Sequence, residues 1–306
     1  MTCSNLLFGA TSLLGFHLAT LFPKTMVPFI SPGNTSQAMR HWPPLRLNDP
    51  EWLKNLFHRT QPKFLLYCHA VCDVAKCEAH PDWAYEVNVR QLEQVLSLLP
   101  EHTKLVYVSS DHVFGGDGVY HEESSLCPIS VYGRTRVEAE RLVLQRPGSL
   151  VIRTGLGIGR SPNGRSGYLD WLRYRTRYKL PITIIEDEYR SVVWMAELAT
   201  RVLAVALSPE SGVRHIPASR AVSRLELAHY LMNLLGLRKT FKVESRHQQP
   251  APHLGRVELA SVYGSELLRP LISVLDGSRV LTVHVGLPSM TTVAPEGWSG
   301  RSAFGE

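Results

Sequence analysis

Three features of the 306-residue sequence predict an α/β fold built on a parallel, doubly wound sheet. Short apolar, turn-bounded runs alternate with helical patterns, and a glycine-rich turn separates the first run from the first helix. The composition, 44% hydrophobic and 20% charged, is that of an ordinary globular chain. Such alternation implies right-handed crossovers, helices on both sheet faces and a ligand crevice at the carboxyl ends of the strands, the Rossmann-type arrangement. The length also accommodates a smaller appended lobe.

In chain order, the expected strands are NLLFGA (5–10), MVPFIS (26–31), KFLLYCHA (63–70), KLVYVSS (104–110) and SLVIRTG (149–155). The expected helices run from Leu14 to Phe22, Glu51 to Arg59, Trp83 to Leu99 and Tyr132 to Gln145. The stretch from Met1 to Pro23 carries no Asp, Glu, Lys or Arg, yet it lacks a basic leader and a small-residue cleavage site. Gly9, Thr11, Ser12, Gly15 and His17 interrupt it, so it reads as the buried start of a sheet rather than a signal peptide or membrane span. Past residue 155 the texture turns to glycine, arginine and aromatic residues, and regular alternation is expected to end. SRLELAHYLMNLLG (223–236) is a helix with Ser223 as N-cap, Glu226 completing a capping box and Gly236 as the stop. From about Asp276 no period is sustained, which reads as a loose tail.

Five cysteines, an odd number without a secretion signal, imply reduced thiols and a cytoplasmic location. A net charge of +6 suits an anionic small ligand as well as nucleic acid. His69, Cys72, Cys77 and His80 form H-x-x-C-x-x-x-x-C-x-x-H, a spacing of no common zinc framework, so no metal is expected. DWLRYRTRYK (170–179) interleaves aromatic and basic residues. It reads as a solvated helix with an apolar face of Leu169, Leu172 and Tyr178, or as a surface for an anionic small molecule or partner protein. Nucleic acid is not expected, because no nucleic-acid module accompanies the run.

The glycine turn LLFGATSLLG places Gly9 and Gly15 between strand and helix, where backbone N–H groups and a helix N-terminus meet a pyrophosphate. Ser12 replaces the middle glycine of the dinucleotide fingerprint. The second strand ends FISPGN, with neither an acid for a ribose 2′-hydroxyl nor an adjacent arginine for a 2′-phosphate, so NAD and NADP both stay open. The expected division is a dinucleotide-binding domain over 1–155, a smaller substrate lobe over 156–275 interleaved with it, and a tail over 276–306.

Further segments join this turn in a recognisable order. LRLNDPEWLKNLF carries Leu47 and Asp49; CHAVCDVAKCEAHPDWAYEVNV carries Ala70, Asp73, Val74, Lys76, Glu78, Tyr85 and Asn88; VYVSSDHVFGGDGVYHEES and PISVYGRTRVEAE follow. Over residues 5 to 235 the chain resembles the extended short-chain dehydrogenase/reductases, and within them the dTDP-4-dehydrorhamnose reductase, or sugar-nucleotide-binding, family. LRLNDPEWLKNLF is similar to the family's third-strand segment, with Arg46 replacing an acid, and His112 stands where tyrosine is usual. The resemblance implies cofactor contacts from Gly9, Thr11, Ser12, Leu13, Leu14, Gly15, Leu47, Cys68, His69, Ala70, Cys72, Tyr132 and Arg136. It implies substrate contacts from Ser110, Asp111, His112, Val113 and Arg153.

The chemistry implied is carbonyl reduction, with Ser110, Tyr132 and Arg136 as the catalytic group. Tyr132 would donate the proton, Ser110 would orient the carbonyl, and a cation one helical turn after the tyrosine would favour its phenolate. That cation is usually lysine; Arg136 keeps the charge but not the compact, proton-passing ammonium. His112 is a second candidate acid, although a lone histidine there is more often a pocket wall. IIEDEYRSVVW, comparable to a family substrate segment, keeps Asp187 and Ser191 but has Glu188, Arg190 and Val192 in place of Gln, Gly and Pro. The leading expectation is an NAD(P)H-dependent reductase of a nucleotide-activated 4-keto sugar or related carbonyl compound, with a homodimer or partner enzyme possible and no membrane partner. Its rivals are a non-catalytic dinucleotide-binding subunit, like the regulatory β subunit of methionine adenosyltransferase, and a sugar-nucleotide epimerase.

Overall fold

A computed structural model describes residues 5–33, 39–238 and 240–277. The first part of the chain runs β1 (Leu6–Phe8), α1 (Leu13–Leu21), β2 (Val27–Phe29), α2 (Pro50–Thr60), β3 (Phe64–Tyr67), α3 (Val74–Ala79), α4 (Pro81–Tyr85) and α5 (Gln91–Leu98). It continues through β4 (Lys104–Val108), β5 (Gly118–Tyr120), α6 (Val131–Leu144) and β6 (Leu150–Thr154). The rest comprises β7 (Leu156–Ile158), α7 (Tyr168–Arg177), β8 (Thr183–Ile185), β9 (Tyr189–Trp194), α8 (Met195–Leu207), β10 (Gly212–Ile216), β11 (Ala221–Ser223), α9 (Arg224–Leu234), β12 (Lys242–Glu244) and β13 (Arg256–Leu259).

A six-stranded parallel sheet has the order β10-β6-β4-β3-β1-β2. Alternate residues of its strands feed two cores, as a period of two requires. Leu7, Leu66, Val106 and Ile152 pack with α1 and α8. Leu6, Phe8, Leu65, Tyr67, Tyr107 and Val151 pack with α2, α5 and α6. The chain turns from β1 to β2 on one side and to β3 on the other, so the switch point, and the crevice that goes with it, lies between the ends of β1 and β3.

Alternation continues past residue 155, contrary to the expectation, and α8 and β10 return to the first sheet. The segment likened to a third strand also differs: Pro44 makes an isolated parallel bridge with Ile30, and Asp49 caps α2, its carboxylate accepting the Trp52 N–H at 3.0 Å. The helix expected over 83–99 is interrupted by a π-helical turn at Glu86–Arg90. The extra residue of that turn directs Asn88 inward. Its side chain accepts from Val71 N and donates to Val71 O and Thr135 Oγ1, at 2.8, 3.0 and 2.9 Å, tying the exit of β3 to α6.

In the second lobe β11, β9, β13 and β5 form a mixed sheet with β7 beside β9, and β12 pairs with β8. Ser223 and Glu226 form the expected capping box of α9, and Gly236 takes a φ of +61° after the helix. α7 buries Tyr168, Leu169 and Leu172, but Tyr178 is 55% exposed and does not belong to the apolar face expected of it. Residues 278–306, most of the expected tail, lie outside the described residues; Asp276 forms an ion pair with Arg220. Among the described residues no helix is long and apolar enough to cross a membrane.

Candidate active site

Gly9, directly after β1, has a φ of +88°, and a Cβ there would stand 2.4 Å from His69 N at the exit of β3. Only glycine lets the two strand ends approach this closely. A Cβ on Gly15 would meet Gly9 O at 2.3 Å, so α1 is drawn tight against the turn. Ser12 caps α1 by accepting the Gly15 N–H at 2.9 Å, which takes one of the helix's leading donors. A polar chain crosses the crevice: Thr11 Oγ1 lies 2.7 Å from Ser31 Oγ, Ser31 Oγ 3.2 Å from His69 Nδ1, and His69 Nε2 3.2 Å from Gln91 Oε1. Burial lowers the His69 pKa, so this wall is neutral.

Gly9, Thr11, Ser12, Gly15, Cys68 and His69 are thus brought to one crevice, with Ala70 next along the chain. Leu14 and Leu47 are buried in the cores behind it, and Leu13 rests against Gly167 at the start of α7. Ser31, Gln91 and Asn88 were not singled out as ligands from sequence; their side-chain partners lie 17 to 47 residues away, beyond any local pattern. Of the suspected zinc set, His69 is held as described, Cys77 is buried, Cys72 is exposed and His80 lies at the surface; no group of three or more metal ligands occurs among the described residues.

At the other wall, Ser130 caps α6 by accepting the Gly133 N–H at 3.0 Å, and Glu78 accepts the Val131 N–H at 2.6 Å. These contacts hold Tyr132, 5% exposed, at the start of the helix with its ring edge-on to His112, centroids 5.1 Å apart. Arg136 follows one turn later, 5% exposed, its guanidinium between the Tyr107 and Tyr132 rings at 5.0 and 5.5 Å. Its Nη2 donates to Val108 O at 2.7 Å, while Nε and Nη1 are buried with no hydrogen-bond partner among the described residues. Burial raises the Tyr132 pKa; the Arg136 charge and the Ser110 hydroxyl pull it back only in part. Tyr132 is therefore protonated at neutral pH, with the Arg136 charge beside its ring.

Ser110 is the N-cap of a 3₁₀ turn at Asp111–Val113, and its Oγ donates to Asp111 Oδ1 at 3.1 Å. Asp111 is fully buried and receives both Arg190 Nε, at 2.5 Å, and Arg190 Nη2. Arg190 Nη1 reaches Glu188 Oε1 at 3.3 Å. Burial and the Arg190 charge push the His112 pKa down to about 4, so it is a neutral wall rather than an acid at neutral pH. Arg190, one of the three substituted positions of IIEDEYRSVVW, thus pairs the buried Asp111 charge at the base of the Ser110 turn, and Glu188, a second, shares the guanidinium. Asp187 instead holds the segment after β12, accepting Ser245 Oγ and Arg246 N at 2.6 Å each.

Two residues expected at the substrate stand elsewhere. Arg153 is committed to a buried fork on Glu140, with Nη2 to Oε2 at 2.7 Å, and to the Glu122 carbonyl at 3.3 Å. Val113 is fully buried with Phe114 and Val257. Two cavities open beyond the Ser110 turn. The larger, about 430 Å³, is lined by Gly115, Ile129, Arg246, His247, Gln249 and His253 among others. The smaller, about 160 Å³, is lined by Tyr168, Trp171, Arg224, Gln249 and His253 among others.

A sequence model of the family described as the RmlD substrate binding domain matches residues 4–289. The chain belongs to this family. Among relatives, this family member is similar to a dTDP-4-keto-6-deoxy-D-glucose reductase of Streptomyces niveus, 25% identical over 77% of this chain and 80% of that one. It is also similar to methionine adenosyltransferase 2 subunit beta of Rattus norvegicus, 24% identical over 92% of this chain and 82% of that one. Its fold matches a dTDP-4-dehydrorhamnose reductase of Bacillus anthracis, solved in complex with NADP, at a TM-score of 0.71 and 19% identity over 83% and 89% of the two chains.

Proposed function

We propose that this protein is an NAD(P)H-dependent reductase of a nucleotide-activated 4-keto sugar or a closely related carbonyl compound. The observation that carries this reading is the pairing of buried Tyr132 with a buried Arg136 whose Nε and Nη1 have no hydrogen-bond partner among the described residues. Buried guanidinium donors without partners are costly, and their place beside the crevice fits them to a ligand's hydroxyl or phosphate oxygens. The glycine turn fits a dinucleotide in the same way, since a Cβ on Gly9 or Gly15 would close the approach. The names of the Streptomyces and Bacillus relatives support the same substrate class and cofactor.

Gly9, Thr11, Ser12 and Gly15 would hold the pyrophosphate, and the Arg136 donors the adjoining ribose. Bound there, NAD(P)H would supply the hydride for the carbonyl carbon. Ser110 orients the carbonyl oxygen, and Tyr132 gives that oxygen its phenolic proton as the charge develops. Arg136 stabilises the phenolate left behind, and solvent returns the proton. Arginine remains charged throughout, so it contributes electrostatics and not proton relay. Turnover is accordingly expected to be slow. The second lobe, through its two cavities, would hold the sugar nucleotide.

The test is oxidation of NADPH and NADH by the purified protein with a panel of 4-keto sugar nucleotides. Wild type should turn over at least one of them, and Tyr132→Phe should lower kcat by about 100- to 10,000-fold with cofactor affinity retained. A folded, cofactor-binding wild type that oxidises neither nucleotide with any member of the panel would sink the proposal. A second reading, a dinucleotide-binding regulatory subunit, draws on the Arg136 Nη2 bond to Val108 O, which ties the cation to the sheet, and on the rat relative. It predicts a co-purifying partner enzyme whose activity Tyr132→Phe leaves unchanged.

A further inference from the structure

The first 48 residues, which build the glycine turn, α1, β2 and the connection toward α2, contain no aspartate or glutamate. They do contain three fixed cations, Lys24, Arg40 and Arg46. The first carboxylate of the chain, Asp49, is committed to the N-cap of α2, and Glu51 pairs with Lys54. At the exit of β3, Asp73 caps α3 in the same way. A dinucleotide seated on the glycine turn lays its adenosine toward the end of β2. There an NAD crevice offers a carboxylate to the ribose 2′-hydroxyl, and an NADP crevice offers a cation to the 2′-phosphate.

The fold brings such a cation to this end from outside β2. Phe29 O accepts from both Gly9 N and Ala10 N, at 3.1 and 2.9 Å, so the end of β2 is locked to the glycine turn. One residue on, Ile30 N donates to Pro43 O at 2.9 Å and Leu45 N to Ile30 O at 2.8 Å, around the parallel bridge from Ile30 to Pro44. Counting on from that pair brings Arg46 level with Pro32, just past Ser31. Leu45 and Leu47, on either side of it, are buried in the core with α2 and α5, which turns Arg46 outward. Arg46 is exposed and has no carboxylate partner among the described residues.

The polar chain across the crevice ends at the same place. From Thr11 it runs through Ser31, His69 and Gln91, and Gln91 Nε2 donates to Asn48 Oδ1 at 3.2 Å, two residues after Arg46. Its members are uncharged, His69 because burial lowers its pKa. Hydroxyl and amide groups thus line the path that a ribose would follow, and Arg46 stands at the far end as an unpaired charge. Lys24 lies at the opposite, amino end of β2. Arg40 precedes the bridge, beside His41, whose pKa burial and then the Arg40 charge lower.

We infer that Arg46 selects the cofactor: its guanidinium takes the 2′-phosphate of a dinucleotide whose pyrophosphate lies on the glycine turn, so the protein binds NADPH in preference to NADH. The inference rests on the dinucleotide crevice of the proposed reductase, and its test needs no turnover. A phosphate dianion fits the planar donor fork of arginine. NADH, with a hydroxyl in that place, gains nothing from the guanidinium and finds no carboxylate to accept from it. Arg46 acts on binding and touches no reacting atom.

Calorimetric titration of the full chain with NADPH and NADH, and with adenosine 2′,5′-bisphosphate beside AMP, tests it. Wild type should favour NADPH over NADH, and the bisphosphate over AMP, by about 10- to 100-fold. Arg46→Gln should erase most of that preference while the NADH and AMP affinities hold, and Arg46→Glu should shift it toward NADH. Lys24→Gln removes the same charge at the other end of β2 and should leave the preference intact. Because Arg46 is exposed, its variants should fold, and retained NADH affinity checks that. Wild type binding neither dinucleotide or both equally, an unchanged preference in Arg46→Gln, a parallel loss of NADH, or an equal effect of Lys24→Gln would each overturn the assignment. NADPH preference that depends on Arg46 without any turnover would leave this inference standing while removing the reductase; turnover supported equally by NADPH and NADH, at equal affinities, would do the reverse.

Discussion

Tyr132, Arg136 and Ser110 meet at one wall because two local devices aim them: the Ser130 cap and Glu78 bond seat α6, and Ser110 caps its own 3₁₀ turn. This group was legible from residue type and spacing, since residues four apart on a helix share a face. Gly9 was equally legible, and its demand is sharp. Gly9→Ala must place a Cβ 2.4 Å from a backbone nitrogen at a φ of +88°. It should cost at least about 2 kcal/mol in urea denaturation and abolish measurable NADPH binding. A variant of wild-type stability and affinity would show that the strand ends do not need to approach this closely. The Asp111–Arg190–Glu188–His253 run was not legible, because its bonds span up to 79 residues of chain and link residues whose types alone signal only surface charge.

Among the elements, β1, β2, β3, β4 and β6 were legible because each lies in a short apolar run bounded by turn residues, and α1, α2, α5 and α6 between them by their helical period. The later ones hid for physical reasons. β7, β8 and β11 have three residues each and lie among glycine, arginine and aromatic residues without the longer apolar run that flanks β1 or β2, whereas α8 carries a helical spacing in its buried Leu198, Ala199, Val202, Leu203 and Ala206 and was legible in principle. The third-strand resemblance gave way to a bridge at Pro44, a residue without an N–H for a ladder. The π-turn at Glu86–Arg90 leaves no mark in an apolar period. α9 carries the clearest terminal signal, a capping box in which both Ser223 and Glu226 bonds are made. Ser223→Ala should lower unfolding free energy by about 1 kcal/mol while NADPH affinity is unchanged. A neutral result in a denaturant titration would mean that packing, not the cap, sets this helix start.

For the molecule as a whole, buried neutral histidines should make stability fall toward acid pH. His215 is fully buried; Nδ1 lies 2.8 Å from Ala260 O and Nε2 3.4 Å from Arg153 Nη1, so the ring is neutral, and burial pushes its pKa down to about 4. His112 is depressed to the same value. A base whose folded pKa lies below its unfolded one takes up a proton on unfolding, so stability is full above the unfolded value of about 6.5 and falls as pH drops from there toward 4. Each group should contribute a loss on the order of 2–3 kcal/mol across that window. Denaturation midpoints between pH 7.5 and 5 should show the slope, and His215→Gln should flatten it; a flat wild-type profile would contradict the neutral buried ring. The reductase reading meets its most direct test in the single-turnover rate of Arg136→Lys with NADPH and the best 4-keto sugar nucleotide of the panel. The predicted result is a gain of about 10- to 100-fold over wild type, as a compact relaying ammonium replaces a guanidinium that supplies only charge. No turnover in either protein, with cofactor bound and the fold intact, would contradict it.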